Sequence, residues 1–480
     1  MYAQQAGNTE NNAETLPQIT VQGASVDNYK ADTVASPKFT QPLVDTPQTI
    51  SVIKKELFQQ QNATTLTEAL RNTPGVSLQL GENGNTQTGD SIFMRGFDTS
   101  GSIFVDGIRD VGTISRDTFN LDQIEVVKGP SGSDNGRGAS SGYVNLVSKT
   151  AQLDDFSLAS VTTGTDDRYR VTADLNRKLD IGIPGSAFRL NLMNQNYGTP
   201  GRDDVTSKRW GVAPSLVFGL GTPTRTTINY LHLEQNNIPD GGVPTFGLSG
   251  YKFATLLPGP KVDSSNFYGQ PGDHDNATVD QVTLKFEHDI APGTTIRNTT
   301  RVGRSKQDLV VTGVNAVNQP TANPSTWTVN LSRQGKQQTN DIVTNQTNLT
   351  TEFDTGFIKH TLSTGVEFIY EKQNTDTAFT VQPGAAPGGV NTAISNLYSP
   401  TVVAGLPMPQ YLGAFTNGNT FTTAAYAFDT LKLSDRWMLN AGVRWDKFKT
   451  KSDSASYASS TNPALTQNGD QELDDSLLSW

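Results

Sequence analysis

Strict alternation of apolar and polar residues, beginning near residue 155, is the feature of this sequence that most constrains its fold. Within 169–175 the two classes change places at every step, and the same period of two returns in 188–192, 282–287, 362–370 and 439–446. Successive side chains of a β-strand point to opposite faces, so this pattern predicts strands with one apolar face. The larger part of the chain is therefore expected to be β-structure.

The connections between these strands fall into two length classes. Tight connections lie near 182–185, 221–224, 291–294, 354–357 and 434–436. Long connections lie between them, at roughly 237–277, 309–337, 374–419 and 451–473. Short turns on one side and long loops on the other are typical of a transmembrane β-barrel. We count about eleven strands from Phe156 to Phe448 and a twelfth starting near Leu473. A large secreted β-protein is the alternative.

Composition excludes several other classes of protein. Hydrophobic residues make up only 34% of the chain, and no stretch reaches the roughly 18 consecutive apolar residues of a spanning helix. The absence of Cys excludes disulfides, thiolate metal sites and cysteine nucleophiles. The four His are scattered, and the net charge of −10 argues against general nucleic-acid binding. We therefore expect no catalytic constellation and no metal site, and predict that the protein is not an enzyme.

The region before the alternating strands divides into a tail and a compact α+β unit. Residues 1–39 are polar and lack a pattern, apart from a β-prone run at 16–21, and are expected to be flexible. The α+β unit, 40–152, is predicted to contain a helix at 65–72. Thr65 and Glu68 have the spacing of a capping box at its start, and Thr73-Pro74-Gly75 ends it. Strands are predicted at 49–53, 92–95, 103–106, 124–127 and 143–147.

A glycine-rich block closes the α+β unit and could be mistaken for a phosphate site. It comprises Ile124-Glu125-Val126-Val127-Lys128-Gly129-Pro130, Gly136-Arg137-Gly138 and 142–149. A P-loop would require Lys-Ser/Thr after its last Gly, which is missing here, and the glycines from 136 to 142 miss the dinucleotide spacing by one residue. We therefore assign these glycines to tight turns within a small, crowded sheet.

Several motifs in order resemble the plug of TonB-dependent outer-membrane receptors. With the block above, they are Ser51-Val52-Ile53, 66–71 with Pro74-Gly75-Val76, Arg95-Gly96-Phe97 and Asp106-Gly107-Ile108-Arg109-Asp110. The resemblance implies an α+β plug followed by an antiparallel transmembrane β-barrel, which the family builds from 22 strands. It divides the chain into a periplasmic tail (1–39), a plug (40–152) and the N-terminal part of a barrel (153–480), with only the first 11–12 strands.

A second set of motifs resembles catecholate siderophore receptors of the Fiu and PiuA type. These motifs are 35–42 (Ala-Ser-Pro-Lys-Phe-Thr-Gln-Pro), 81–85 (Gly-Glu-Asn-Gly-Asn), Thr99-Ser100 and 115–120 (Ser-Arg-Asp-Thr-Phe-Asn). The resemblance implies active uptake of a ferric siderophore, with a catecholate as the expected class. A hydroxamate chelate, haem or cobalamin remains the alternative cargo, and a passive porin is a further alternative that would lack a plug.

The family also implies how transport is energised. The run Leu16-Pro17-Gln18-Ile19-Thr20-Val21 lies where the family has its TonB box, which binds TonB with its ExbB–ExbD motor. An extended, β-prone segment on a flexible leash can add a strand to the sheet edge of a partner. A receptor that also signals would carry a folded domain before the box; fewer than twenty residues precede Leu16 here, so we expect no such domain.

The resemblance assigns two groups of plug residues. Residues expected to face the siderophore at the plug apex are Thr99, Ser100, Arg109, Asp110, Arg116 and Phe119. Residues expected to have a structural role are Arg95, Gly96, Glu125, Lys128, Gly129, Gly136 and Gly138. A ferric tris-catecholate is an aromatic trianion, which suits a guanidinium. For Arg109 and Arg116, ligand contact and a structural ion pair remain equal alternatives, whereas for Arg95 we expect an ion pair that fixes plug to barrel. The iron is held by the siderophore, so no cofactor or protein metal site is expected.

The expected location is the outer membrane of a Gram-negative bacterium, although the first residues lack the features of a signal peptide. Lipid would surround the strands, and phages or bacteriocins are possible partners at the long loops. With roughly 330 residues after the plug, the strands are too few for 22, so we expect a fragment whose sheet is open, with the strand at Phe156 unpaired on one side.

Overall fold

The computed structural model describes residues 29–78, 89–138, 140–250, 256–379, 392–403, 406–459 and 462–480. The predicted TonB box at 16–21 and the motif at 81–85 lie outside the described residues. Most of the tail assigned to 1–39 lies outside them as well.

The first folded unit is a small α+β domain with two sheets. Its elements are β1 (Thr49–Lys54), α1 (Lys55–Gln60), α2 (Leu66–Leu70), β2 (Val76–Leu78), β3 (Ile92–Met94), β4 (Phe97–Asp98), β5 (Ile103–Val105), β6 (Ile108–Arg109), β7 (Leu121–Lys128), α3 (Gly132–Asn135) and β8 (Gly142–Ser148). One sheet has the order β1-β7-β8-β5-β6, with β5 and β8 parallel, and the other has the order β2-β3-β4. A short 3-10 helix, Leu43–Asp45, precedes them.

Helix α2 begins at a complete capping box, as its sequence predicts. The Thr65 side chain accepts a hydrogen bond from the backbone N–H of Glu68, and the Glu68 carboxylate accepts one from the N–H of Thr65. The helix then buries Leu66 and Leu70 against the main sheet. The core of this unit is completed by Phe58, Ile92, Met94, Ile103, Ile124, Val126, Val144 and Leu146.

Two motifs of the first unit are two-residue hairpin turns. Arg95-Gly96 joins β3 to β4 with φ of 52° and 86°, and Asp106-Gly107 joins β5 to β6 with φ of 50° and 78°. Two consecutive residues with positive φ are the requirement of a type I′ turn, which matches the twist of the paired strands. Glycine at the second position of each motif therefore has a local conformational cause.

The second unit is one large antiparallel sheet of long strands. These are β9 (Phe156–Thr163), β10 (Tyr169–Leu179), β11 (Ser186–Gly198), β12 (Thr206–Phe218), β13 (Thr224–Asn237), β14 (His274–Ala291), β15 (Thr294–Asn318), β16 (Thr328–Thr355), β17 (Ile358–Phe379), β18 (Thr392–Asn396), β19 (Gln410–Lys432), β20 (Met438–Ser459), β21 (Asn462–Gln467) and β22 (Gln471–Ser479). A 3-10 helix, Pro324–Thr326, precedes β16. The five tight connections predicted from the sequence all join neighbouring strands.

The sheet follows the order of the chain and remains open. Strands β9 to β17, then β19 and β20, pair consecutively, while β18 pairs with β16 and both β21 and β22 pair with β20. Within the described residues β9 pairs only with β10, so the first strand does not meet the last. The predicted fold class, an α+β plug followed by an antiparallel barrel-type sheet, is confirmed, as is the open sheet.

The long connection predicted at 309–337 is wrong. Strand β15 continues to Asn318 and β16 begins at Thr328, so the true connection is 319–327. Both faces of these strand ends are covered: Leu309, Val310, Val311 and Thr312 are all buried. Because alternation requires one covered and one open face, it disappears there although the strands continue.

The cover on the outer face is a cluster formed by the long connections. It packs Trp327, Val329 and Leu331 against loop residues of 238–273 and 392–403, including Phe246, Val262, Tyr268 and Leu397. A buried ion pair between Asp273 and Arg333, at 3.0 Å, fixes the first of these loops to β16. No helix in the described part of the chain is long and apolar enough to cross a membrane.

Candidate functional site

The inner face of the sheet holds the plug through polar contacts. The guanidinium of Arg301 on β15 donates to the carbonyl oxygen of Val105 (2.7 Å) and to Asp106 (2.8 Å) in the β5–β6 turn. Lys149 lies 3.1 Å from Asp174 on β10 and also donates to the carbonyl oxygen of Phe119. Buried charges therefore attach the plug to the barrel sheet.

One plug loop, 112–115, faces the side of the sheet that carries the long connections. Thr113 donates to Gln307 or Gln338, at 3.1 and 2.6 Å. Gln235 donates to the carbonyl oxygen of Ser115, and Gln235 lies two residues before the end of β13, where the long connection 238–273 begins. Among the described plug residues, this loop therefore contacts the barrel strands near the start of a long connection.

Arg116 lies directly below this loop, and its charge is already compensated. It is 5% exposed, and its guanidinium pairs with Asp110 at 2.9 Å and with Asp90 at 3.1 Å. It also donates to the carbonyl oxygens of Asp110 and Gly112. Burial alone would lower the pKa of Arg116, but the two carboxylates raise it, whereas burial raises the pKa of Asp90. In this structure Arg116 and Asp110 shape the loop, and no free N–H face is offered to a ligand.

Phe119 is buried at the contact between plug and barrel. It packs with Ile114 against barrel residues from four strands, Met193, Ala213 and Leu233 among them. Gly211 on β12 makes room for the ring, since a Cβ there would lie 2.8 Å from Cζ of Phe119. The ring therefore contributes to attachment of the plug in the described conformation.

The other three predicted ligand-facing residues lie apart from Arg116. Arg109 donates to the carbonyl oxygen of Arg137 and lies 3.9 Å from Glu371 on β17. Thr99 is buried and donates to the carbonyl oxygen of Ile92, while Ser100 is half-buried and accepts from the N–H of Ile92. Arg109 thus retains a partly accessible, weakly paired guanidinium, and Thr99 and Ser100 stabilise the turn after β4.

Most residues with a predicted structural role fit that role locally. Glu125 is buried and accepts hydrogen bonds from Asn145, Gln123 and the backbone N–H of Ala35; burial raises its pKa, which these hydrogen bonds oppose. Gly129, Gly136 and Gly138 have φ of 106°, 72° and 90°.

The two cations with a predicted structural role are more loosely held. The Lys128 ammonium donates to Ser51. Within the described residues no ion pair joins Arg95, which is exposed, to the barrel, so the expected ion pair remains a prediction.

Sequence reasoning missed a buried charge cluster on β17 and β20. Glu367 pairs with Arg444 at 2.8 Å, and Arg444 pairs in turn with Asp446 at 2.8 Å. The fourth member is Lys38, from the segment before the plug, at 2.7 Å from Glu367. The only signal in the sequence is that charged residues occupy inward positions of alternating strands. The sequence of such a position is the same whether its side chain faces water or a plug.

The site has no features of metal or covalent chemistry in the described residues. No group of three or more His, Asp and Glu side chains there has the arrangement of a metal site. The arrangement can hold the plug and the barrel sheet together through ion pairs that are able to separate. It can also present the polar loop 112–115 to an incoming solute.

Two family profiles match this sequence. The TonB-dependent receptor plug domain matches residues 42–143, and the TonB-dependent receptor-like β-barrel matches residues 209–473. The members of this family are receptors for transport and are not enzymes.

Individual relatives agree with the profiles. The chain is 45% identical over 461 residues to the catecholate siderophore receptor Fiu of Escherichia coli O6:H1, covering 94% of this chain and 59% of that protein. It is 33% identical to the probable TonB-dependent siderophore receptor PiuA of Acinetobacter baumannii, covering 93% and 61%. The closed-form crystal structure of the ferric-catecholate import receptor Fiu from E. coli K12 matches with a TM-score of 0.87 at 43% identity, covering 94% of this chain and 65% of that one. The chain spans about three-fifths of the length of these curated relatives.

Proposed function

Since this chain belongs to the family of TonB-dependent receptors, we propose that its protein takes up a ferric siderophore across the outer membrane of a Gram-negative bacterium. The proposed ligand is a ferric catecholate, as the names of the relatives Fiu indicate for those proteins. TonB, driven by ExbB–ExbD, supplies the energy and binds the segment Leu16-Pro17-Gln18-Ile19-Thr20-Val21. Another iron chelate, such as a hydroxamate or haem, is the alternative cargo.

The observation that carries this proposal is the position of the plug relative to the sheet. A separately folded unit lies on the inner face of a barrel-type sheet, and its loop 112–115 faces the side of the long connections. A passive pore has no use for such a unit, because it would obstruct the flow of solute. A receptor needs it, because the plug both offers the ligand surface and blocks the path until it moves.

The proposed ligand region comprises residues with two different tasks. Arg109 provides a planar cation for a trianionic aromatic complex. Asp110 and Arg116 act by shaping the loop above them, since their charges neutralise each other in the plug interior. Thr99 and Ser100 stabilise the turn after β4, and Phe119 fixes the plug to the barrel sheet.

The test is growth on iron chelates. A siderophore-uptake mutant that carries the full-length gene is grown under iron limitation with either a ferric catecholate or a ferric hydroxamate as the only iron source. We expect growth on the catecholate that depends on an intact tonB gene. Growth on the hydroxamate alone would establish the alternative cargo, and growth without TonB would contradict active transport.

A further inference from the structure

The motif at 35–42 has a structural role that its sequence did not indicate. This segment lies between the plug and the inner face of the barrel sheet. The N–H of Ala35 donates to Glu125 of the plug (2.6 Å), while Ser363 on β17 donates to the carbonyl oxygen of Pro37 (3.0 Å). Further along, the hydroxyls of Thr40 and Thr430 on β19 are 3.2 Å apart. We call residues 35–42 the strap.

Lys38 is the centre of the strap. Its side chain is 9% exposed, and its ammonium lies 2.7 Å from the Glu367 carboxylate, which is 3% exposed. The ammonium also donates to the carbonyl oxygen of Asp134 in α3 and lies 4.8 Å from the centre of the Tyr426 ring. One side chain thus joins three bodies: the strap, the plug and the barrel wall.

The ion pair between Lys38 and Glu367 can hold the strap in one defined position. A buried charge that loses its partner is strongly destabilised, so the ammonium and Glu367 separate only if both reach water or new partners. Arg444, paired with Asp446, remains beside Glu367 and can compensate it when the ammonium departs. The barrel wall is therefore stable both when Lys38 is bound to Glu367 and when it has left. The Lys38 ammonium itself is stabilised only beside Glu367 or when it is fully hydrated.

The strap follows the segment on which TonB would pull, with residues 22–34 between them. Residues 22–37 alone separate the proposed TonB box from Lys38. We propose that Lys38 is a positioning residue of transport: its ion pair with Glu367 holds the strap in the barrel, and the pull on the tail must extract Lys38 before the plug can move. We call the ion pair of Lys38 and Glu367 the latch. The origin of the pulling force rests on the proposed function, but the existence of the latch does not.

The test uses the absence of Cys from residues 1–480, so an introduced thiol is the only one within them, and any Cys elsewhere in the full-length receptor is first replaced by Ser. Thr40→Cys places the thiol in the strap, and its rate of labelling by a membrane-impermeant maleimide is measured in outer membranes from a strain without TonB. The full-length receptor carries Lys38→Met, which keeps the stem and removes the charge, or Lys38→Arg, which keeps the charge. Lys30→Met is the matched control, because Lys30 is an exposed lysine shortly before the strap, and its ammonium lies 2.9 Å from the exposed Asp32.

We expect Lys38→Met to raise the labelling rate about tenfold, Lys38→Arg to restore most of the protection, and Lys30→Met to leave the rate unchanged. If Lys38→Met does not accumulate in the membrane, Lys38→Gln replaces it. Equal labelling of Lys38→Met and the parent would overturn the latch. Labelling does not require transport: a raised rate in a receptor that carries no iron would leave the latch standing and contradict the proposed function instead.

Discussion

The carboxylate of Asp117 in the plug is held by two parallel hydrogen bonds from the guanidinium of Arg170 on β10. Nη1 and Nη2 of Arg170 lie 2.9 and 2.6 Å from the two oxygens, and the Asp117 side chain has no exposed surface. A two-point contact of this kind fixes orientation as well as distance. It attaches the plug to the second strand of the sheet, β10, whereas Lys38 contacts β17, nearer the other edge of the sheet.

The first prediction concerns this pair. Arg170→Ala leaves Asp117 buried without its counter-charge, and we expect the plug to lose about 3–5 kcal/mol of stability. Arg170→Lys restores the charge but not the parallel geometry, so it should recover only part. The measurement is the urea concentration at which the plug becomes sensitive to protease. Arg177→Ala, which removes an exposed arginine of the same strand, is the control and should shift it little.

The second prediction compares two glycines of the plug that both have positive φ. At Gly142 a Cβ would lie 2.1 Å from the carbonyl oxygen of Val127 and 2.6 Å from Sδ of Met94, whereas at Gly107 nothing lies within 4 Å. Gly107→Ala should cost only backbone strain, about 1–2 kcal/mol. Gly142→Ala should cost more than about 4 kcal/mol, because strands β7 and β8 must separate. Similar protease resistance in the two variants would refute the described packing.

The third prediction concerns Phe119. Phe119→Ala opens a cavity between plug and barrel and should cost about 3–5 kcal/mol. Gly211→Ala should displace the same ring, since the added carbon would lie 2.8 Å from it. Phe97→Ala is the control: that ring is 63% exposed, and surface changes usually stay within about 0.5 kcal/mol. Thermal unfolding of the purified full-length receptor in detergent measures all three.

How much the sequence predicts depends on whether a strand has one open face. Where it has, as in β10 and β11, alternation identifies the strand and the tight turn that follows. At the ends of β15 and β16 that the connection 319–327 joins, loops cover the outer face. Val310 and Val311 are therefore buried side by side, and the alternation is lost. The same dependence on an open face applies to the plug, where apolar runs and turn motifs predict the strands and alternation does not.

The charges at the interface were harder to predict from the sequence. Arg116 looks the same in sequence whether it faces a ligand or two carboxylates, because Asp90 lies 26 residues away along the chain. Glu367, Arg444 and Lys38 come from three distant segments, and only the fold brings them together. Pairing of this kind depends on topology, which local patterns do not contain.

The fourth prediction separates the two arginines that sequence treated alike. Arg109→Ala should weaken binding of a ferric catecholate about tenfold or more, because a hydrogen bond to a charged group contributes about 1.5–3 kcal/mol, and should affect a neutral ferric hydroxamate less. Arg116→Ala should instead destabilise the plug, leaving Asp90 and Asp110 unpaired, with no preference between the two ligands. Titration of the purified receptor with each chelate measures the ratio. Equal losses for both ligands in Arg109→Ala would return Arg109 to a structural role.

The last prediction concerns the proposed TonB box. Ile19→Pro should abolish uptake of the ferric siderophore while binding at the cell surface remains unchanged. Proline removes a backbone N–H and cannot take part in a β-ladder as a central residue, so a partner strand could not pair with this segment. The ligand surface on the long-loop side does not depend on that pairing, and equilibrium binding should persist. Uptake and binding of labelled ferric catecholate are measured on the same cells, with Gln5→Pro in the preceding tail as the control. Transport by Ile19→Pro at the rate of the parent would show that 16–21 is not the segment on which TonB pulls.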